Sequence, residues 1–159
     1  FLSKGKTGDV NRNIKTALEI DEPYDILEKK TKHGKFLFEQ ADKINKEYKK
    51  LIARAIKSGE EDGMVVFSYT SKDLSLTADL SNELLYRNPG KIVIVAREKN
   101  GNMRMSIRSD NVNVKKILEA ILEKIGGHGG GHDLAVGASV KVEDFSEFIG
   151  MFKEELSKE

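Results

Sequence analysis

Apolar residues follow a helical period up to about residue 60 and an alternating one beyond it. In the first stretch Val10, Ile14, Ala17 and Leu18 fall on one helical face, and Asp9 is placed to cap that helix. Asp21-Glu22-Pro23 interrupts it, and Pro23 suits the first turn of a short helix running through Leu27. From about Lys35 to Lys57, Leu37, Ala41, Ile44, Tyr48, Leu51 and Ala55 recur at alternating spacings of four and three, a narrow apolar seam among Lys, Glu, Asp and Asn. Such a seam suits a helix packed along one edge of a domain, or a short coiled-coil dimer; Ser58-Gly59 ends it.

Met64-Val65-Val66-Phe67 and Ile92-Val93-Ile94-Val95-Ala96 are short continuous apolar runs, as in strands buried on both faces. Between them Leu76, Leu80, Leu84 and Leu85 describe a helix that stops at Asn88-Pro89-Gly90, which makes strand, helix and strand a parallel crossover. Lys99-Asn100-Gly101-Asn102 signals a hairpin, because Asn-Gly supplies the positive φ angles of a two-residue turn. It leads into a strand from Met103 to Ser109. Asn113 then caps a helix carrying Val114, Ile117, Leu118, Ile121, Leu122 and Ile125. A glycine-rich loop, a short strand through Val140 and Val142, and a helix with Phe145, Phe148, Ile149, Phe152 and Leu156 complete the chain. The predicted fold is α/β: a small mixed β-sheet flanked by helices and preceded by a long connecting helix.

Composition adds bounds. At 159 residues the chain suffices for one compact domain and an appendage. With 38% apolar and 33% charged residues it predicts a folded core under a highly charged surface. The 27 basic and 26 acidic side chains nearly cancel, so no global field draws it to nucleic acid or membrane, and any polyanion site must be local. Without cysteine there is no disulfide or thiolate metal site. No stretch approaches a membrane span, and Phe1-Leu2-Ser3-Lys4-Gly5-Lys6 lacks the apolar core of a signal peptide. The expected location is cytoplasmic, and the absent initiator Met points to a piece of a longer protein.

The candidate chemistry lies in two segments. Gly126-Gly127-His128-Gly129-Gly130-Gly131-His132 places five glycines in seven positions. Repeated glycine lets successive N–H groups turn toward one point and bind an anion, and a helical turn from His132 to Gly137 would add its own N–H groups. A flexible turn is the plainer reading. A Walker A loop is excluded, since His132-Asp133 follows where Lys and Ser or Thr are needed. His128 and His132 also have a metal-pair spacing, which requires a helix that the glycines oppose. His33, in a Lys-rich stretch, reads as a surface residue. In the second segment Met103, Met105 and Ile107 alternate with Arg104, Ser106 and Arg108. The latter three form either a solvated outer face or a phosphate clamp, since guanidinium makes forked bonds to phosphate oxygens.

Together the segments carry a resemblance. Gly129-Gly130-Gly131-His132-Asp133-Leu134-Ala135-Val136-Gly137 resembles the Gly-Gly-Gly-His-x-x-Ala-Ala-Gly signature of the DHH-associated domain of the first subfamily, with Val136 in place of Ala. Ser106-Ile107-Arg108-Ser109 resembles that domain's Ser-x-Arg-Ser strand. The chain is most similar to the C-terminal part of an archaeal RecJ-like single-strand exonuclease of the DHH phosphoesterase family.

The resemblance implies that residues 60–159 are a substrate-binding domain and residues 1–59 the helical end of a catalytic domain plus a connecting helix. Arg108 and His132 would contact substrate phosphate, assisted by Ser106, Gly130 and Gly131, with Arg104 and His128 nearby. The family holds two divalent ions, manganese or magnesium, on an Asp-His-His domain. That motif is not in this sequence, whose three histidines are all apart. The chain alone is therefore expected neither to bind metal nor to hydrolyse phosphodiesters. Implied partners are single-stranded DNA or RNA in DNA repair, its own DHH domain, and a protein of a replication complex. Alternatives are the substrate half of an oligoribonuclease or nucleotide phosphatase, a docking module, or a relative of the C-terminal domain of alanyl-tRNA synthetase.

Overall fold

The computed structural model describes residues 7–71 and 74–158; the Phe1–Lys6 start lies outside them. The helices are α1 (Thr7–Leu18), α2 (Tyr24–Leu27), α3 (Lys32–Ser58), α4 (Thr77–Arg87), α5 (Val114–Ile125) and α6 (Phe145–Leu156). The strands are β1 (Met64–Thr70), β2 (Ile92–Lys99), β3 (Asn102–Arg108), β4 (His128–His132) and β5 (Ala135–Lys141). Two compact units result: one up to residue 51 together with 74–75, the other comprising 52–71 and 76–158.

The first unit is helical. Asp9 lies inside the first turn of α1, not at its cap, because the helix already begins at Thr7. A carboxylate there still complements the N-terminal end of the helix dipole. Pro23 occupies the N-cap of α2. On α3 the predicted seam is the sheltered stripe: Leu37 is buried, and Ala41, Ile44, Tyr48 and Leu51 are half-buried. His33 pairs with Glu19 at 3.3 Å, both largely exposed.

In the second unit five strands form one mixed sheet in the order β1-β2-β3-β5-β4. β1 and β2 run parallel, as the crossover reading requires, and the other neighbours are antiparallel. Asn100 and Gly101 make the β2–β3 turn at φ 53° and 73°, and this turn aligns Lys99 with Asn102. At α5 the Asn113 carboxamide accepts from the Lys116 N–H at 3.1 Å, the predicted cap.

The alternating register sorts the side chains into two faces. One face presents Ile92, Ile94, Ala96, Met103, Met105, Ile107, Val136, Ala138 and Val140 to α5 and α6, whose Ile117, Leu118, Ile121, Phe148 and Phe152 complete the principal core. The other face is apolar only across β1 and β2, where Val65, Phe67, Tyr69, Val93 and Val95 are buried. Helix α4 lies over β2 and β3 on that side and stops short of β5 and β4.

One expectation fails. The glycine-rich segment is not a loop but the edge strand β4, paired from His128↔Ser139 to His132↔Ala135. No helical turn follows His132, since β5 already begins at Ala135. Glycine has low strand propensity, and the sequence pattern hid the strand for that reason; pairing with β5 overrides it.

The core is tight enough to be sensitive to volume. Phe148 is wholly buried with its ring 5.4 Å from that of Phe152. Phe148→Ala is expected to cost about 3–5 kcal/mol in urea unfolding, the range for emptying a buried aromatic site.

Candidate functional site

Most of the residues singled out from sequence lie on the second face, from β3 at the margin of α4 out to β5 and β4. Reading across β3, β5 and β4, Arg108 aligns with Ala135 and His132. Ser106 aligns with Gly137 and Gly130, and Arg104 with Ser139 and His128. In-register partners on neighbouring strands share a face. Arg108 and His132 therefore lie on the same side of the sheet, two strands and about 10 Å of backbone apart. Gly131 aligns with Val136 and belongs to the opposite face.

Arg108 is held on three sides. Its Nε donates to Asn82 Oδ1 on α4 at 3.0 Å, and Nη1 donates to the carbonyls of Ile107 at 2.9 Å and Val136 at 3.3 Å. No carboxylate pairs with it among the described residues, and Nη2 keeps both of its N–H groups unused. Burial lowers its pKa from the ordinary arginine value, though not enough to discharge a guanidinium. The result is a fixed cation with one NH2 group, Nη2, left to donate to an anionic oxygen.

Ser106 is buried, and its hydroxyl donates to Thr77 Oγ1 at 3.1 Å. It ties the first turn of α4 to the sheet, so its first service is as a brace. The other serine of the motif, Ser109, accepts from the N–H groups of Asn111 and Val112 and shapes the turn leading to α5. Its own N–H donates to the Leu134 carbonyl at 3.0 Å, which pins the β4–β5 hairpin tip beside Arg108. His132 and His128 are exposed.

The glycines fall into two kinds. A Cβ on Gly131, at φ +149°, would sit 2.4 Å from the Ala135 carbonyl oxygen, and one on Gly129 would sit 2.7 Å from that of Gly137. Those two positions are glycine because β4 lies too close to β5 for a side chain. Gly130 and Gly137 differ. A Cβ on Gly130 would meet nothing within 4 Å, and one on Gly137 only a carbonyl oxygen at 3.8 Å. The fold asks for no glycine at either, and their effect is to leave a strip of bare backbone beside Arg108.

The successive glycine N–H groups do not converge as in a nest, because an extended strand points them alternately to its two edges. Nor do the residues fit a metal centre. A pair of divalent ions roughly 4 Å apart needs several ligands. Among the described residues no three His, Asp or Glu side chains come together. His128 and His132 stand about 13 Å apart along a strand, too far to share an ion. Among those residues, too, no helix is long and apolar enough to cross a membrane.

Sequence reading missed Asn82 and Thr77, which come from another element, and Arg97, which lies just beyond the apolar run Ile92–Ala96 and inside β2. The hairpin register would have found Arg97, since a turn at Asn100-Gly101 sets it opposite Arg104.

The second unit is thus a mixed sheet covered on one face and half covered on the other, with a cationic strip beside a glycine edge. Residues 63–158 match the DHHA1 domain, and the chain belongs to that family. No curated protein matches it. Among solved structures, RecJ in complex with Mg2+ from Thermus thermophilus aligns with 96% of this chain and 23% of its own, at a TM-score of 0.67 and 12% identity. The pGpG-specific phosphodiesterase PggH from Vibrio cholerae aligns with 80% of this chain and 44% of its own, at 0.56 and 16%. The C-Ala domain of Aquifex aeolicus alanyl-tRNA synthetase aligns with 56% of this chain and 87% of its own, at 0.46 and 22%. The first two likenesses are of fold, and the chain spans less than half of either protein.

The two kinds of glycine are separable by experiment. Gly131→Ala is expected to lower the thermal midpoint by several degrees, as a steric insertion costing about 1–3 kcal/mol does. Gly130→Ala should leave it unchanged or raise it slightly. Equal effects would show that the close approach of β4 to β5 is not what fixes Gly131.

Proposed function

We propose that this chain is the substrate-holding domain of a metal-dependent DHH-family phosphoesterase, most like an archaeal RecJ-like exonuclease. In this reading it holds single-stranded DNA or RNA by its phosphates. The observation that carries it is Arg108, a guanidinium fixed by three hydrogen bonds, with no carboxylate partner among the described residues and with its free Nη2 beside bare backbone.

The division of labour is simple. Arg108 supplies its charge and the two diverging N–H groups of Nη2 to phosphoryl oxygens, and His132 supplies a further donor from across Ala135. Gly130 and Gly137 let the sugar-phosphate backbone lie close to the sheet, since no side chain stands there. Ser106, bonded to Thr77, keeps α4 and Asn82 where they orient Arg108. Bond cleavage belongs to a separate Asp-His-His domain that holds manganese or magnesium.

Fluorescence anisotropy with a labelled oligothymidylate tests this directly. Arg108→Ala is expected to weaken binding about tenfold or more, and Arg108→Lys to restore little, because a lysine lacks the planar head that Asn82 and the Val136 carbonyl hold in place. His132→Ala should cost less than Arg108→Ala. Gly130→Ala, whose added Cβ meets nothing within 4 Å, should weaken binding without lowering thermal stability. Wild-type affinity in both Arg108→Ala and His132→Ala would refute the assignment.

A further inference from the structure

A second cationic row crosses the same face. Tyr69, Arg97, Arg104, Ser139 and His128 align across all five strands. Arg97 and Arg104 stand directly opposite each other on β2 and β3. Like charges in that relation repel and destabilise a strand pair unless something neutralises them. Nothing in the row does. It contains no acidic residue, and neither arginine joins an ion pair or side-chain hydrogen bond among the described residues.

Arg97 is only 5% exposed, and its buried Nε has no hydrogen-bond partner. An unpaired buried donor on a charged group is costly. Ser139, also buried at 7% exposed, makes no side-chain hydrogen bond among the described residues. Burial chiefly raises the pKa of the neighbouring Tyr69 phenol, while the Arg97 charge opposes that rise and Asp79 on α4 adds to it. The phenol oxygen is already engaged, accepting from the Leu76 N–H at 2.8 Å. Among the described residues the sheet thus contains two opposed guanidiniums and a hydroxyl without side-chain hydrogen bonds, with Asp79 of α4 the acidic group whose charge reaches this end of the row.

The row has a fixed distance from the first site. Arg104 and Arg108 are four residues apart on one strand, about 13 Å at the usual rise. Between them lie Ser106, Gly137 and Gly130, with no bulky side chain. A chain of phosphates could run from one row to the other over Gly137 and Gly130, which are exposed, beside the buried Ser106.

We infer that Arg97 and Arg104, with Ser139 and His128 beside them, form a second phosphate station on the same sheet face, about 13 Å from Arg108. The ligand class is then an extended polynucleotide strand with phosphates held at both rows. A mononucleotide or dinucleotide is too short to reach both. The inference rests on the reading of Arg108 given above and specifies the substrate that reading leaves open.

The test is anisotropy on the full chain with fluorescent mononucleotide, dinucleotide and pentanucleotide probes, in oligothymidylate and oligouridylate versions, titrated into the millimolar range. Arg104 is exposed, so Arg104→Ala does not empty the core. It is expected to weaken pentanucleotide binding about tenfold and to flatten the salt dependence by about 0.7, one phosphate contact to a single strand. Mononucleotide and dinucleotide binding should be unchanged. Arg108→Ala should weaken all three. Arg97→Lys, checked for an unchanged melting curve, should resemble Arg104→Ala.

Wild-type pentanucleotide affinity in Arg104→Ala, with loss in Arg108→Ala, overturns the second station and leaves the first. Equal loss for all three lengths in Arg104→Ala overturns it too, because the two rows would then be one site. A loss confined to one sugar type overturns recognition by phosphate. Full affinity in both variants, or no binding by the wild-type chain, overturns the reading of Arg108 as well.

Discussion

The antiparallel register of β3 on β5 is the constraint on which the rest depends. It sets Ile107 against Val136 on the core side and Arg108 against Ala135 on the other. A slip of one residue would drive Arg104, Ser106 and Arg108 into Phe148 and Phe152 and expose Met105 and Ile107 to water. The register is held twice over, by burial on the core face and by the β4–β5 hairpin that Ser109 pins at Leu134. Packing therefore sets which face the cations take, and Asn82 with the Val136 carbonyl then fixes the direction of Arg108.

Most of the architecture could be read from periodicity. The apolar runs at β1 and β2, the Asn100-Gly101 turn and the Asn113 cap are local signals, and local chemistry decides them. The glycine strand was not legible, because β4 has no β-branched or aromatic residue and no buried side chain. Only its pairing with β5 makes it a strand, and pairing is tertiary. The start of α1 was misplaced because Asp9 is as much at home in a first turn as at a cap.

The candidate site was legible in part for the same reason. Arg104, Ser106 and Arg108 share a face by alternation alone. What alternation could not supply was the role of Ser106, which depends on Thr77 from α4, or the tethering of Arg108 by Asn82. Glycine identity was over-read as one phenomenon. Gly129 and Gly131 answer to crowding between strands, whereas Gly130 and Gly137 answer to open space. A consecutive run of one residue type concealed two physical causes, separated by strand alternation.

The edge strand has a consequence of its own. A ribbon of backbone with no side chain to bury pays the full entropy of glycine to stay extended and recovers little by packing. Its outer peptide groups also lack a neighbouring strand. β4 therefore sits at the weakly held margin of an otherwise rigid sheet, where fraying requires the least work. Whatever rests against His132 also stiffens the strand that presents it, so part of any observed affinity goes into ordering the lip itself.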